Sequence, residues 1–290
     1  MHGTYTHLMI LIIDSGSTKT HFALLDSDGT YKEFASKGFN PYYYDKDDFY
    51  NLLRDELYQK IKGNRVDRIY YYGAGCSSEA NCTLVEQTLS LFFPSAEILA
   101  EHDLYGAALA LCGNNKGIAC ILGTGSNSCL WDGEHTIENV PSLGYMLGDE
   151  GSGTYLGKIT LTAILSGEAD ADIARAFYRE YKLTFSETLE KVYRKPYPNR
   201  FLSSISLFIH SHIENPWCQK MVRQNFCDFI EKQVSKYTDY QATSVSFIGS
   251  VAFYFQDILE AVLDEYNISL GKIFKEPMSG LVVYHAEKRD

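Results

Sequence analysis

The sequence predicts an α/β protein built from two related halves, and three observations carry that prediction. Short, continuously apolar runs alternate with amphipathic stretches, as in a sheet with parallel strands and covering helices. The stretch Met9 to Gly29 (MILIIDSGSTKTHFALLDSDG) is repeated in outline by GIACILGTGSNSCLWDG from Gly117 to Gly133. No low-complexity linker separates the halves.

Taken in order, Met9 to Asp14 reads as a buried strand, because nothing polar interrupts it before Asp14. HFALLD forms a second strand closed by the Asp28-Gly29 turn, and YKEFASKG a third. Lys46 to Lys62 places Phe49, Leu52, Leu53, Leu57 and Ile61 at helical spacing, with Gly63 as the stop. VDRIYYYGAG is a strand running into glycines. Asn81 to Phe93 is a helix ended by Pro94, Ala96 to Ala100 a short strand, and Leu104 to Leu111 an alanine-rich helix. The second cycle opens on the repeated hairpin. A helix follows near Gly153 to Leu165, then a mostly helical stretch from Ala169 to Tyr237. The strand Ser244 to Ile248 runs into Gly249-Ser250 and a further helix.

In the repeat, Leu122 matches Ile13, Gly125 matches Gly16, Ser126 matches Ser17, and Asp132-Gly133 matches Asp28-Gly29. The ordered match indicates duplication, with domains at 1–111 and 112–290 hinged near Leu111 to Lys116.

Composition bounds the partners. The chain has 290 residues and a net charge of −11, which argues against nucleic acid as a main partner, since phosphate backbones select basic faces. Seven cysteines, odd in number and without a CxxC pair, read as reduced thiols. The first apolar run is too short for a membrane span and lacks the flanks of a signal peptide. The expected setting is therefore cytoplasmic, with no membrane partner. Met1 to Leu8 reads as an irregular extension ahead of Met9.

Five motifs carry chemistry. Gly16-Ser17-Thr18-Lys19-Thr20 is not a Walker loop, because Thr18 rather than glycine precedes the lysine and a strand follows it. Its backbone amides can instead cradle phosphate in a tight hairpin, with Asp14 organising Mg²⁺ through water. Gly123-Thr124-Gly125-Ser126 is the matching hairpin, and two such loops across a cleft can clasp one polyphosphate. Gly123 occupies the position of Asp14, so only the first hairpin serves a metal. Asp103, at the end of a strand and the start of a helix, reads as an N-cap, as a general base, or as both. His102 is read as an ordinary hydrogen-bonding group. Gly148-Asp149-Glu150-Gly151-Ser152 reads as a capped turn or a ligand-gripping loop. Gly249-Ser250 stands between a strand and a helix, where a glycine lets a flat ring approach the backbone.

With these motifs in this order, the chain resembles the actin-like ATPase superfamily of sugar kinases, actins and heat-shock ATPases. Within it the chain is most similar to the N-acetylglucosamine kinase and BadF/BadG-type ATPase family. The resemblance runs from Met9 to PMSGLVVYHA and rests mainly on GTGSN followed by GDEGS. It implies a duplicated, ribonuclease H-like fold whose two domains flank a nucleotide cleft. It also implies an ATP-dependent kinase for an N-acetylated amino sugar, N-acetylglucosamine or N-acetylmuramic acid, phosphorylated at O6, and a homodimer. The family's first loop reads D-G-G-x-T-K-T, whereas this chain has Asp14-Ser15-Gly16-Ser17-Thr18-Lys19-Thr20. The resemblance places ATP on Ser15, Gly16, Ser17, Thr18, Lys19, Gly123, Thr124, Gly125, Ser126, Gly249 and Ser250. It places the sugar on Asn40, Gly75, Asp103, Thr124 and Asp149, Mg²⁺ on Asp14, and the base role on Asp103. Tyr42, Tyr43 and Tyr44 either stack on a sugar or are ordinary core and edge aromatics. Two alternatives share the fold: a BadF-type ATPase that activates a redox partner, for which Cys120 and Cys129 are the cysteines beside the second hairpin, and a non-catalytic sugar or nucleotide sensor.

Overall fold

The structure is a computed structural model that describes residues 8–16, 19–41 and 44–288. Ser17, Thr18, Tyr42 and Tyr43 lie outside the described residues. The chain divides into two compact units, residues 1–113 with 277–290, and residues 114–276.

The first unit holds β1 (Ile10–Ser15), β2 (Lys19–Leu25), β3 (Tyr31–Lys37), β4 (Arg68–Gly73) and β5 (Glu97–His102), in the sheet order β3-β2-β1-β4-β5. β1 to β3 pair antiparallel, while β1, β4 and β5 run parallel. The core side chains Leu11, Ile13, Phe22, Leu24, Ile69 and Tyr71 pack on α1 (Lys46–Leu53) and α2 (Glu79–Ser90). Past Leu53, α1 widens into a π-helical segment, Arg54–Tyr58, before its last turn; this keeps Leu57 and Ile61 buried with Phe49 and Leu53. The helix after β5, α3 (Asp103–Cys112), carries a run of buried alanines and leucines.

The second unit repeats the plan: β6 (Gly117–Leu122), β7 (Ser126–Trp131), β8 (Thr136–Glu138), β9 (Val245–Ile248) and β10 (Leu270–Phe274), ordered β10-β9-β6-β7-β8. Read from the other end, this is the order of the first sheet, with the same antiparallel and parallel pairings. The duplication read from the opening stretch therefore extends to whole sheets. Between β8 and β9 lie six helices: α4 (Gly144–Leu147), α5 (Gly153–Ser166), α6 (Ala171–Tyr181), α7 (Phe185–Tyr193), α8 (Pro198–Ser211) and α9 (Pro216–Lys232). α5 and α8 approach closely at Gly157, where any Cβ would overlap the Leu202 backbone. After β9 come α10 (Ser250–Tyr254) and α11 (Gln256–Glu265).

One boundary is corrected. The sequence reading placed everything after residue 111 in the second domain, but α12 (Met278–Glu287) belongs to the first unit, packed on α3, β1 and β2. Its buried face is formed by Met278, Leu281, Val282 and His285, and Gly280 lets it lie against Ala110. β8, α4 and β10 are further elements the sequence reading did not separate, being short or only partly apolar. Among the described residues no helix is long and apolar enough to cross a membrane.

His285 anchors α12. It is buried, stacks on Tyr70 at 4.0 Å between centroids, and shares a 2.8 Å hydrogen bond between its Nε2 and the Tyr72 hydroxyl. Burial, with some help from Lys288, lowers its pKa from 6.5 to about 4. Unfolding thus releases a histidine that binds a proton more readily, so stability from this site is complete above pH 6.5 and is lost as pH falls towards about 4. Urea titrations across that range are expected to show a contribution of up to about 3 kcal/mol from His285. His285→Gln is expected to flatten that part of the slope; a slope equal to the parent's would show that His285 is not held neutral.

Candidate functional site

In the first unit the parallel strands end level with one another. Ser15 pairs with Gly73, and Gly73 with His102, so Asp14, the Gly73–Cys76 turn and Asp103 all stand at the carboxyl edge, the usual ligand edge of an α/β sheet. Below them lies Tyr71, fully buried, its hydroxyl donating to the Phe39 carbonyl at 2.5 Å. Burial first, and then the nearby charges of Cys76, Asp14 and Asp103, push that phenol well above its ordinary range and keep it neutral.

The Phe39 peptide is held on both sides. Its N–H lies 3.1 Å from both Ser15 Oγ and Thr20 Oγ1, its carbonyl accepts from Ser15 Oγ at 3.2 Å, and the two hydroxyls are 2.8 Å apart. This fixes the next residue, Asn40, which is 5% exposed at the same edge. Gly75 is glycine because a Cβ there would come within 2.5 Å of Asn40 Oδ1 and would overlap the Pro41 ring. Asn40, Gly75 and Asp103, read as sugar contacts, are thus gathered on one edge with Asp14.

Ser15 is different. Expected on phosphate, it is fully buried and its hydroxyl is committed to Thr20 and Phe39, so its side chain supports Asn40 rather than meeting a ligand. The Gly16 N–H donates to the Lys19 carbonyl at 3.0 Å and closes the hairpin; Ser17 and Thr18, read with it on phosphate, lie outside the described residues. Lys19 is exposed at the start of β2.

Asp103 is the first residue of α3, not its cap. His102 is the N-cap, its Nδ1 accepting from the Leu104 N–H at 3.2 Å. The N-cap reading of Asp103 is therefore replaced. The backbone of His102 is extended (φ −64°, ψ 148°) as a cap requires, while Asp103 has already entered the helix. The Asp103 carboxylate, its side chain 25% exposed, lies 3.0 Å from His102 Nδ1.

In the second unit the hairpin Gly123–Gly125 is tied down through its carbonyls. Gly123 O accepts from the Gly153 N–H at 2.8 Å; Thr124 O accepts from the Thr154 N–H at 3.2 Å and from its hydroxyl at 2.5 Å. The first amides of α5 are thereby satisfied by the hairpin as well as by the Ser152 cap. From the other side, Gly249 (φ +128°) presses on the same turn, where a Cβ would overlap the Leu122 carbonyl. The glycine read as making room for a flat ring is thus demanded first by this backbone contact and its φ. Ser250, next to it, is exposed at the start of α10.

Asp149 stands beside the hairpin, 8% exposed with φ +60°. Its carboxylate accepts from Ser142 Oγ at 3.0 Å and from the backbone of Ser126. Burial raises its pKa above the ordinary carboxylate range, those two hydrogen bonds opposing the rise. A Cβ on Gly125 would fall 3.1 Å from its Oδ2. The residue read as gripping sugar is therefore already engaged in bracing the second hairpin. Glu150, also buried, pairs with Lys232 at 2.9 Å.

Thr20, Tyr71 and Phe39 in the first unit, and Ser142 and Thr154 in the second, were missed by sequence reasoning. Only Tyr71 left a signal, since in the Tyr70-Tyr71-Tyr72 run strand alternation turns Tyr71 to the face opposite its neighbours. Cys120 and Cys129 are fully buried in β6 and β7, and burial pushes the Cys129 thiol up to about 11, the setting of a core thiol. Among the described residues no group of three or more His, Cys, Asp or Glu could hold a metal ion.

No protein-family model matches the chain, and no curated protein sequence matches it. Likeness to solved structures is extensive. The chain is 40% identical, with a TM-score of 0.93, to a candidate N-acetylglucosamine kinase from Porphyromonas gingivalis, over 97% of this chain and 100% of the other. A candidate N-acetylglucosamine kinase from Chromobacterium violaceum aligns at 19% identity and TM-score 0.74, over 96% and 98% of the two chains. Component A of the (R)-2-hydroxyglutaryl-CoA dehydratase of Acidaminococcus fermentans aligns at 12% and 0.51, over 97% of each chain. The last two share the fold.

Gly249→Ala is expected to lower the urea midpoint by an amount equivalent to about 1–3 kcal/mol, since the strain and the displaced Leu122–Gly123 backbone fall on the hairpin itself. Ser250→Ala, at an exposed position, is expected to leave the midpoint unchanged. Parental stability in Gly249→Ala would contradict the contact.

Proposed function

Because the chain belongs to the N-acetylglucosamine kinase and BadF/BadG-type family of actin-like ATPases, we infer that it is an ATP-dependent kinase that phosphorylates an N-acetylated amino sugar, N-acetylglucosamine or N-acetylmuramic acid, at O6. The observation that carries this reading is the level register of β1, β4 and β5, which sets Asp103 on the same edge as Asn40, Gly75 and Asp14.

Asp103 accepts the proton of the sugar hydroxyl as that oxygen attacks the γ-phosphorus in line. Its carboxylate is a quarter exposed and projects from the first turn of a helix whose cap is supplied by His102, so no capping duty competes with that role. Asn40, clamped through the Phe39 peptide, orients the sugar. The amides of the Gly123–Gly125 turn take phosphate, and the ties from Gly153, Thr154 and Gly249 hold that turn rigid, which favours positioning over covalent chemistry.

Mg²⁺ fits this donor set. The ion is ordinarily held by one or two carboxylates, water and substrate phosphates rather than by a protein cage, and Asp14 at the end of β1 is the one carboxylate the reading needs. When bound, the ion would offset charge on the phosphate oxygens.

Asp103→Asn is expected to reduce kcat by about 10²–10⁴-fold with little change in KM, measured by coupled ADP release with N-acetylglucosamine and N-acetylmuramic acid. Retained kcat would refute the base assignment, and ADP release independent of either sugar would refute the substrate class.

A further inference from the structure

We propose that His102 is a positioning residue that gates Asp103, because its Nδ1 is claimed by two partners that need that one atom in opposite protonation states. The Leu104 N–H donates to Nδ1 at 3.2 Å, which requires a bare lone pair on that nitrogen. Asp103 Oδ1 lies 3.0 Å from the same nitrogen, a separation that is a hydrogen bond only when Nδ1 carries a proton. One nitrogen cannot satisfy both. In the neutral Nε2–H tautomer the imidazole caps α3 through its Nδ1 lone pair and offers Asp103 no proton. In the protonated state it gives up the cap, donates to Oδ1, and competes with the sugar hydroxyl for the oxygen that must take the proton.

The charged groups facing His102 favour the second state. Asp103 lies on α3 and Glu101 beside it on β5, while Glu86 of α2 approaches the same strand, accepting from the Ala100 N–H at 3.0 Å. Burial alone would favour neutral imidazole, but the hydrogen bond to Asp103 and the charges of Asp103 and Glu101 outweigh it and raise the pKa above 6.5. The changeover is therefore moved up from that of an ordinary imidazole, and the acid limb of the kinase pH profile belongs to His102.

The inference rests on Asp103 as the base, and two measurements separate the ideas. The first follows the His102 imidazole by NMR in the full chain. Its pKa is expected to drop in Asp103→Asn, which removes the charge that raises it; an unchanged pKa would dispose of the gate. The second uses His102→Asn, which keeps a capping oxygen for the Leu104 N–H and removes the titration. The ratio of kcat at about pH 6 to kcat at about pH 8 is expected to rise several-fold above the parent's, with helix content and urea midpoint preserved. A parental ratio would overturn the proposal, whereas full activity in Asp103→Asn with an intact NMR shift would instead remove the base reading and leave the His102–Asp103 coupling standing.

Discussion

The parallel hydrogen bonding of β1, β4 and β5 is the constraint on which the first unit's chemistry depends. Residues far apart in the chain, Ser15, Gly73 and His102, are brought level because each strand is locked in register to the next. A slip of one residue would turn Tyr71 off the core face and take with it the hydroxyl that holds the Phe39 carbonyl. Asn40 follows directly on that peptide. The register thus sets not one functional group but the distances among several, and the apolar face of Leu11, Ile13, Ile69 and Tyr71 enforces it.

The second unit reaches a comparable rigidity by other means. Its hairpin has glycine at the position of Asp14, and the turn is held by contacts from three separate segments: the start of α5, Gly249 and Asp149. Every one of these needs a close backbone approach or a buried carboxylate, which explains why glycines cluster there. A duplicated plan has therefore diverged, one hairpin retaining the acidic side chain and the other surrounded by supports. Asp149 illustrates the cost. Its carboxylate is buried, and the hydrogen bonds from Ser142 and Ser126 offset the desolvation that raises its pKa.

What the sequence disclosed follows from what is local. The repeated strand–hairpin–strand was legible because it is contiguous, and it correctly implied two sheets of one plan. The glycine motifs were legible as strand ends. Partnerships over long sequence separations were not: α12 joins the first unit through His285 and Tyr72, and no pattern within Met278–Glu287 names that partner. Ser15 was assigned from its place in a loop, but its direction was decided by Thr20 and Phe39. Asp103 reads as a cap, a base or both, because aspartate caps well and stands at a strand's carboxyl end. The backbone angles instead give the cap to His102, whose imidazole nitrogen serves the same purpose.

Ser15 also shows how a buried hydroxyl is accommodated at the end of β1. A hydroxyl placed where no water reaches costs free energy unless it is paired, on the order of 1–3 kcal/mol. Here it finds the Thr20 hydroxyl and both sides of the Phe39 peptide, so the added group is paired rather than stranded. Those bonds oppose any drift of Phe39, which Tyr71 holds from below. Asn40 therefore inherits a position fixed by three side chains from three strands. In this chain Ser15 adds a strut under the residue read as orienting the acceptor sugar.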